Sequence, residues 1–144
     1  MIAGILPGGF LESALQEKLL MGERMDIAIR DTGPKGRGVF ALRSFSSGEV
    51  IETCPVILLA ARDLKLIDAT SLFAYYFGWL DGGAIALGSG SLYNHSDKPN
   101  ARYEKNYDNK TIAFLAVTTI KPDEEITFRY NTGAAHVQLW FEPL

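Results

Sequence analysis

Cysteine is nearly absent: Cys54 stands alone in 144 residues, so the chain has no second thiol for an internal disulfide and no cysteine-rich zinc cluster. Histidine is almost as scarce, with only His95 and His136, which excludes a histidine-rich metal centre as a working expectation. Positive charge is not in excess. Fourteen Lys and Arg against 17 Asp and Glu leave a net charge of −3, which argues against direct binding to duplex nucleic acid, where phosphates call for clustered cations. Long hydrophobic runs are missing too: the longest, Val56 to Ala61, is far too short for a bilayer, and Met1 to Phe10 lacks a basic start and is broken by Pro7-Gly8-Gly9. Neither membrane nor export is expected, and an intracellular location follows most simply. No Gly-Lys-Ser/Thr phosphate loop and no Gly-x-Ser-x-Gly nucleophile elbow occurs.

The composition that remains is that of one soluble globular domain, 47% hydrophobic and 22% charged, long enough to bury about two thirds of its unfolded surface. Its mildly acidic balance suits a basic peptide partner. Leu11, Leu15 and Leu19 recur at helical spacing within Phe10 to Met21, so a short amphipathic helix is expected in an N-terminal extension, residues 1–24. From Asp26 the pattern turns to short β-like runs: Ile27 to Arg30, Val39 to Leu42 and Val50 to Leu59, each bounded by Gly, Pro or Ser. Asp63 is placed to cap a short helix through Ile67. Leu72 to Leu80 reads as extended, turned by Asp81-Gly82-Gly83 into Ala84 to Leu87. A second hairpin joins Ala101–Tyr107 to Thr111–Val117 around Asp108-Asn109, and Pro122-Asp123 turns the chain into Glu125–Tyr130. Periodicity alone thus gives an α+β domain, mainly β.

Between two of these runs lies Gly90-Ser91-Leu92-Tyr93-Asn94-His95-Ser96-Asp97-Lys98-Pro99-Asn100, dense in recognition groups and too polar for core. Ser96, Asp97 and Asn100 bond readily to nearby backbone, and Pro99 restrains both itself and Lys98, so a rigid, sharply bent loop is expected. His95, Ser96 and Asp97 are adjacent residues whose side chains should diverge, a poor arrangement for a hydrolytic triad.

The run Asn94-His95-Ser96-x-x-Pro99-Asn100 resembles the signature of SET-domain protein lysine methyltransferases. Lys35-Gly36-Arg37-Gly38-Val39-Phe40 is similar to that family's glycine motif, and Glu124-Glu125-Ile126-Thr127-Phe128-Arg129-Tyr130 to its acidic strand ending in the catalytic tyrosine. The three motifs stand in the family's order across roughly Met25 to Asn131, so residues 25–131 are taken as the SET domain and 132–144 as a tail packing near the site or against a dimer partner. The resemblance implies a β-clip of small sheets around a C-terminal pseudoknot, and S-adenosyl-L-methionine as cofactor. The implied reaction is methyl transfer to a lysine in a protein or peptide, histone-like or otherwise basic.

Residue by residue, the resemblance implies that Tyr130 is catalytic and that Lys35, Gly36, Arg37, Gly38, Asn94, His95 and Tyr130 meet the cofactor. Tyr75, in preference to its neighbour Tyr76, Phe128 and Trp140 are implied to line the lysine channel, and no metal is required. Phe128 lies two residues before Tyr130 and so shares its strand face; phenylalanine there favours addition of more than one methyl. Arg129 stands where many members have Asp, Asn131 replaces a common glycine, and the zinc-binding cysteines that follow the domain in many members are missing. Trp140 and Phe141, or a second subunit in a homodimer, would then close the channel. Two other readings fit the same residues: a SET-like module that binds peptide or cofactor without transfer, and a β-clip protein with no cofactor.

Overall fold

The structure, a computed structural model, describes residues 25–130. The helix expected over Phe10 to Met21 and the tail carrying Trp140 lie outside the described residues.

Among the described residues nine strands form two sheets. In the first, β1 (Ile27–Asp31) and β2 (Arg37–Ala41) make an antiparallel hairpin in which Ile27 faces Ala41 and Asp31 faces Arg37. Local chemistry dictates its loop. The Asp31 carboxylate accepts the Gly33 N–H at 2.7 Å, and the Thr32 hydroxyl donates to the Gly36 carbonyl at 2.8 Å. Gly33 and Gly36 have φ of +81° and +73°, where a side chain would be strained.

The second sheet runs in the order β4-β5-β3-β8-β7, all antiparallel: β4 (Tyr76–Trp79), β5 (Gly82–Ala86), β3 (Val50–Leu59), β8 (Thr111–Ala116) and β7 (Ala101–Asn106). A bulge between Val50 and Glu52 bends β3, and the sheet curls until its two edges meet through side chains. Phe77 of β4 stands edge-on to Tyr103 of β7 at 5.2 Å between centroids, and Trp79 to Tyr107 at 4.8 Å. Val39, Phe45, Ile112, Phe114, Ile120 and Ile126 are fully buried between the sheets.

The first sheet continues from β2 to β9 (Glu125–Phe128) and then to β6, which is only Asn94–His95. β9 lies antiparallel to β2 and parallel to β6, with Asn94 opposite Thr127 and His95 opposite Phe128. A parallel pairing between such distant segments takes a long crossover connection in place of a tight turn, and it lies where the β-clip has its pseudoknot.

Three expectations need correction. Leu72 to Ala74 is not extended: Ser71–Ala74 is a 3₁₀ turn whose first orphan N–H, on Leu72, is accepted by the Thr70 hydroxyl at 3.2 Å. Asp63 does not cap α1 (Leu64–Asp68), because a 3₁₀ turn over Ala61–Asp63 already puts it in helical geometry, whereas an N-cap needs extended geometry. The β4–β5 hairpin turns at Leu80-Asp81, with Trp79 opposite Gly82, one residue earlier than Asp81-Gly82-Gly83 suggested. Among the described residues no helix is long and apolar enough to cross a membrane.

Candidate active site

Asn94, His95 and Tyr93 are buried, at 9%, 7% and 1% exposure, so the run judged too polar for core is core at its centre. Each of these three side chains has a partner from far along the chain. The Asn94 amide donates to the Arg37 carbonyl at 3.0 Å and to Glu125 Oε1 at 2.8 Å. Glu125 Oε2 accepts from the Lys35 ammonium at 2.8 Å, in a pair four-fifths shielded from solvent on the carboxylate side. Glu125 therefore ties the glycine motif to the Asn-His strand. Gly38 lies against this junction: a Cβ there would stand 2.6 Å from Glu125 Oε1 and 2.8 Å from Asn94 Nδ2.

Asn100 completes the clamp. Its amide donates to the Glu125 carbonyl at 2.8 Å and accepts the Thr127 N–H at 2.9 Å, substituting for a neighbouring strand along β9. The Ser96 N–H donates to the Phe128 carbonyl at 3.1 Å, and the Arg129 guanidinium to the Asp97 carbonyl at 2.6 Å.

His95 positions the tyrosine. Its Nδ1 accepts the Tyr130 backbone N–H at 3.0 Å, which fixes the tautomer with the proton on Nε2, 3.2 Å from Asp97 Oδ1. The expected divergence of His95 and Asp97 is thus wrong, because the β6 end bends back within two residues. Ser96 stays apart from them, its hydroxyl accepting the Lys98 N–H at 3.1 Å, so a triad is still not assembled.

Tyr130 is half-buried beside His95 and Phe128, at 5.3 and 5.1 Å between centroids. Its phenol donates to the Tyr93 carbonyl at 2.8 Å. Burial, then the Tyr75 phenol and the Glu125 carboxylate, push its pKa from 10.0 up to about 12. Phe128, 3% exposed, packs against Phe77 at 5.9 Å, Tyr103 at 5.2 Å and Tyr93 at 6.2 Å. Tyr75, at the end of the 3₁₀ turn and 40% exposed, is close enough to act electrostatically on Tyr130. Tyr76 points elsewhere, donating to Asp68 on α1 at 2.7 Å. Trp140 lies outside the described residues.

Chemically this is an aromatic-walled site with a neutral phenol at its end. Because the phenol's one proton is committed to a carbonyl, its oxygen can meet an incoming amine only as an acceptor. With its pKa pushed up to about 12, Tyr130 is a neutral phenol near neutral pH in this structure. The residues also fit a ligand bearing a carboxylate. Gly36 has open space where a Cβ would project and a backbone in the left-handed region, and the exposed Arg37 follows it while Lys35 is occupied by Glu125.

Sequence reasoning missed Glu125 as the hub, and Phe77, Tyr103 and Tyr93 as walls. Tyr93 carried the one available signal, an aromatic residue directly before the Asn-His pair. Phe77 was hidden inside a run read as uniformly extended.

A model of the SET domain matches residues 36–131. The chain is 36% identical over 121 residues to a histone-lysine N-methyltransferase, H3 lysine-37 specific, of Schizosaccharomyces pombe, a match spanning 83% of this chain and 79% of that one. A solved Plasmodium falciparum protein, described as a candidate histone methyltransferase, superposes with a TM-score of 0.61 at 29% identity over 76% of this chain and 96% of its own. A PRC2 assembly bound to S-adenosylmethionine shares the fold with a TM-score of 0.64 at 20% identity, over 78% of this chain and 16% of the assembly's chain. With its three motifs gathered at one pseudoknot, the chain belongs to the SET-domain family of protein lysine methyltransferases.

Proposed function

We propose that this protein methylates a lysine on a histone, using S-adenosylmethionine held between the Lys35–Gly38 turn and the Asn94–His95 strand, with Tyr130 as the catalytic tyrosine. The observation that carries the reading is the Tyr130 phenol bonded to the Tyr93 carbonyl at 2.8 Å within a wall of aromatic rings.

The bound cofactor supplies an electrophilic methyl group. Everything else falls to the chain. Arg37 and the backbone at Gly36 hold the carboxylate-bearing end, while Asn94, whose donors are both engaged, holds the turn in place. Phe128, Tyr75 and the rings around them exclude water from the lysine. Exclusion favours the neutral amine over the ammonium, lowering a pKa of about 10.4 toward the working range. The Tyr130 oxygen then accepts one amine N–H and so aims the nitrogen lone pair at the methyl, a positioning role. Phe128 leaves no hydroxyl to hold a water beside the amine, which supports addition of more than one methyl.

A histone H3 substrate and a nuclear location are proposed from the fission-yeast relative's specificity. The test is incubation of the pure protein with isotopically labelled cofactor and histone H3, followed by mass spectrometry. Label on a lysine side chain of H3 is the expected result. Calorimetric binding of S-adenosylhomocysteine without transfer to any histone would reduce the protein to a binding module.

A further inference from the structure

Glu52 sits at the β3 bulge and faces inward with Cys54, two residues on. Its Oε1 accepts the Ser89 N–H at 2.9 Å and its Oε2 accepts the Tyr93 phenol at 2.9 Å. The turn before Ser89 is wrapped tightly on this carboxylate: Gly88 has φ +63°, and a Cβ there would lie 2.6 Å from Glu52 Oε1. Tyr93 is otherwise surrounded by rings, stacked on Phe114 at 4.3 Å with 18° between planes.

Holding the Ser89 N–H accounts for a carboxylate at 52, but stability alone does not account for a phenol at 93. Tyr93 is 1% exposed, and a phenylalanine there would fill the same volume while Glu52 kept its Ser89 bond. What the pair does accomplish is geometric. Tyr93 is gripped at its phenol by Glu52, while the next residue, Asn94, is fixed by pairing with Thr127. The peptide carbonyl between these two anchors is the group that receives the Tyr130 hydroxyl.

We infer that Glu52 is a positioning residue for methyl transfer, fixing through the Tyr93 phenol the carbonyl that holds the Tyr130 hydroxyl and so aiming the Tyr130 oxygen at the substrate amine. The inference rests on the catalytic reading of Tyr130. Glu52 acts at one remove from Tyr130, through a hydrogen bond, a buried ring and a main-chain oxygen.

Two variants test it, each measured at a temperature where circular dichroism shows it folded. Tyr93→Phe removes the hydroxyl and keeps the ring; Glu52→Leu removes the carboxylate and keeps an apolar filling. Both should lower kcat about tenfold while KM and S-adenosylhomocysteine affinity stay within about twofold, since small misplacement of a reacting group costs rate and not binding. Combining them should add little further loss of kcat beyond that of Glu52→Leu, because both changes break the Glu52–Tyr93 bond and only Glu52→Leu also releases the Ser89 N–H. A readout independent of turnover comes from the cofactor-free protein carrying ¹³Cζ-tyrosine. The Tyr130 resonance, identified by its loss in Tyr130→Phe, should move in both variants, including Glu52→Leu, which alters no group bonded to Tyr130. Values of kcat within about twofold of wild type in either folded variant, or an unmoved Tyr130 resonance, overturn the inference. Loss of the fold in both variants assigns the pair to stability and overturns it as well. Resonances that move in both variants, with a wild-type protein that transfers no methyl, would leave the positioning of Tyr130 standing and defeat the proposed function instead.

Discussion

At the scale of single residues, the site depends on side chains with no slack. Gly38 is tightly enclosed: an added methyl would meet Glu125, Asn94 and Thr32 at 2.6, 2.8 and 2.9 Å. Gly38→Ala should therefore cost about 1–3 kcal/mol, as overpacking does, and weaken S-adenosylhomocysteine binding in calorimetry by loosening the same junction. Asn94→Ala breaks two bonds at that junction and leaves the Arg37 carbonyl unpaired, so stability should fall by about 1–3 kcal/mol together with cofactor affinity. Lost stability with intact affinity would restrict Asn94 to the fold. At Phe128, a tyrosine would bring a hydroxyl into an aromatic cluster and hold a water beside the amine. Peptide products resolved by mass should shift toward monomethyl-lysine in Phe128→Tyr; an unchanged ratio would leave Phe128 as packing only.

At the scale of elements, the two-residue ladder between β6 and β9 is too short to hold itself, and Asn100 supplies what the strand lacks. Asn100→Ala strands one carbonyl and one N–H on β9. At about 1–3 kcal/mol for each unpaired buried group, urea unfolding should show a loss of roughly 2–6 kcal/mol. The hairpin between β4 and β5 offers the opposite sign. Leu80 is 79% exposed at φ +51°, the position where two-residue loops take glycine, so Leu80→Gly should raise stability by up to about 1 kcal/mol. Elements whose apolar residues follow a simple period, such as β3, β7 and β8, were legible from sequence nearly to the residue. The Tyr93–His95 segment was legible as a motif but not as buried structure. Its polar groups are satisfied by Arg37, Glu125 and Tyr130, and no local pattern announces partners 31 to 57 positions away. Leu72 to Ala74 was misread for the converse reason: a single hydroxyl, on Thr70, overrode an apolar run that looked extended.

At the scale of the whole molecule, both sheets converge on one buried aromatic and polar centre, and that centre keeps its thiol and its phenols neutral. Burial, then the neighbouring Glu52, lifts the Cys54 thiol from 9.0 to about 12, and burial lifts Tyr130 from 10.0 to about 12. Both folded-state values lie above the unfolded ones, so the unfolded chain releases these protons first. Their contribution to stability is complete below about pH 9 and is lost as pH rises toward about 12. Thermal melts should accordingly decline across that alkaline range, and Cys54→Ala should flatten the first part of the decline; an equal slope in the variant would remove the thiol from the effect. The same neutral centre is what the proposed chemistry uses, with Tyr130 as an acceptor that steers an uncharged amine. That claim is tested most directly by comparing Tyr130→Phe with wild type in a single experiment, measuring methyl transfer to histone H3 alongside S-adenosylhomocysteine affinity. Loss of a transition-state contact worth about 2 kcal/mol predicts a rate at least thirtyfold lower with affinity within about threefold, whereas a rate above about one third of wild type would contradict a catalytic Tyr130.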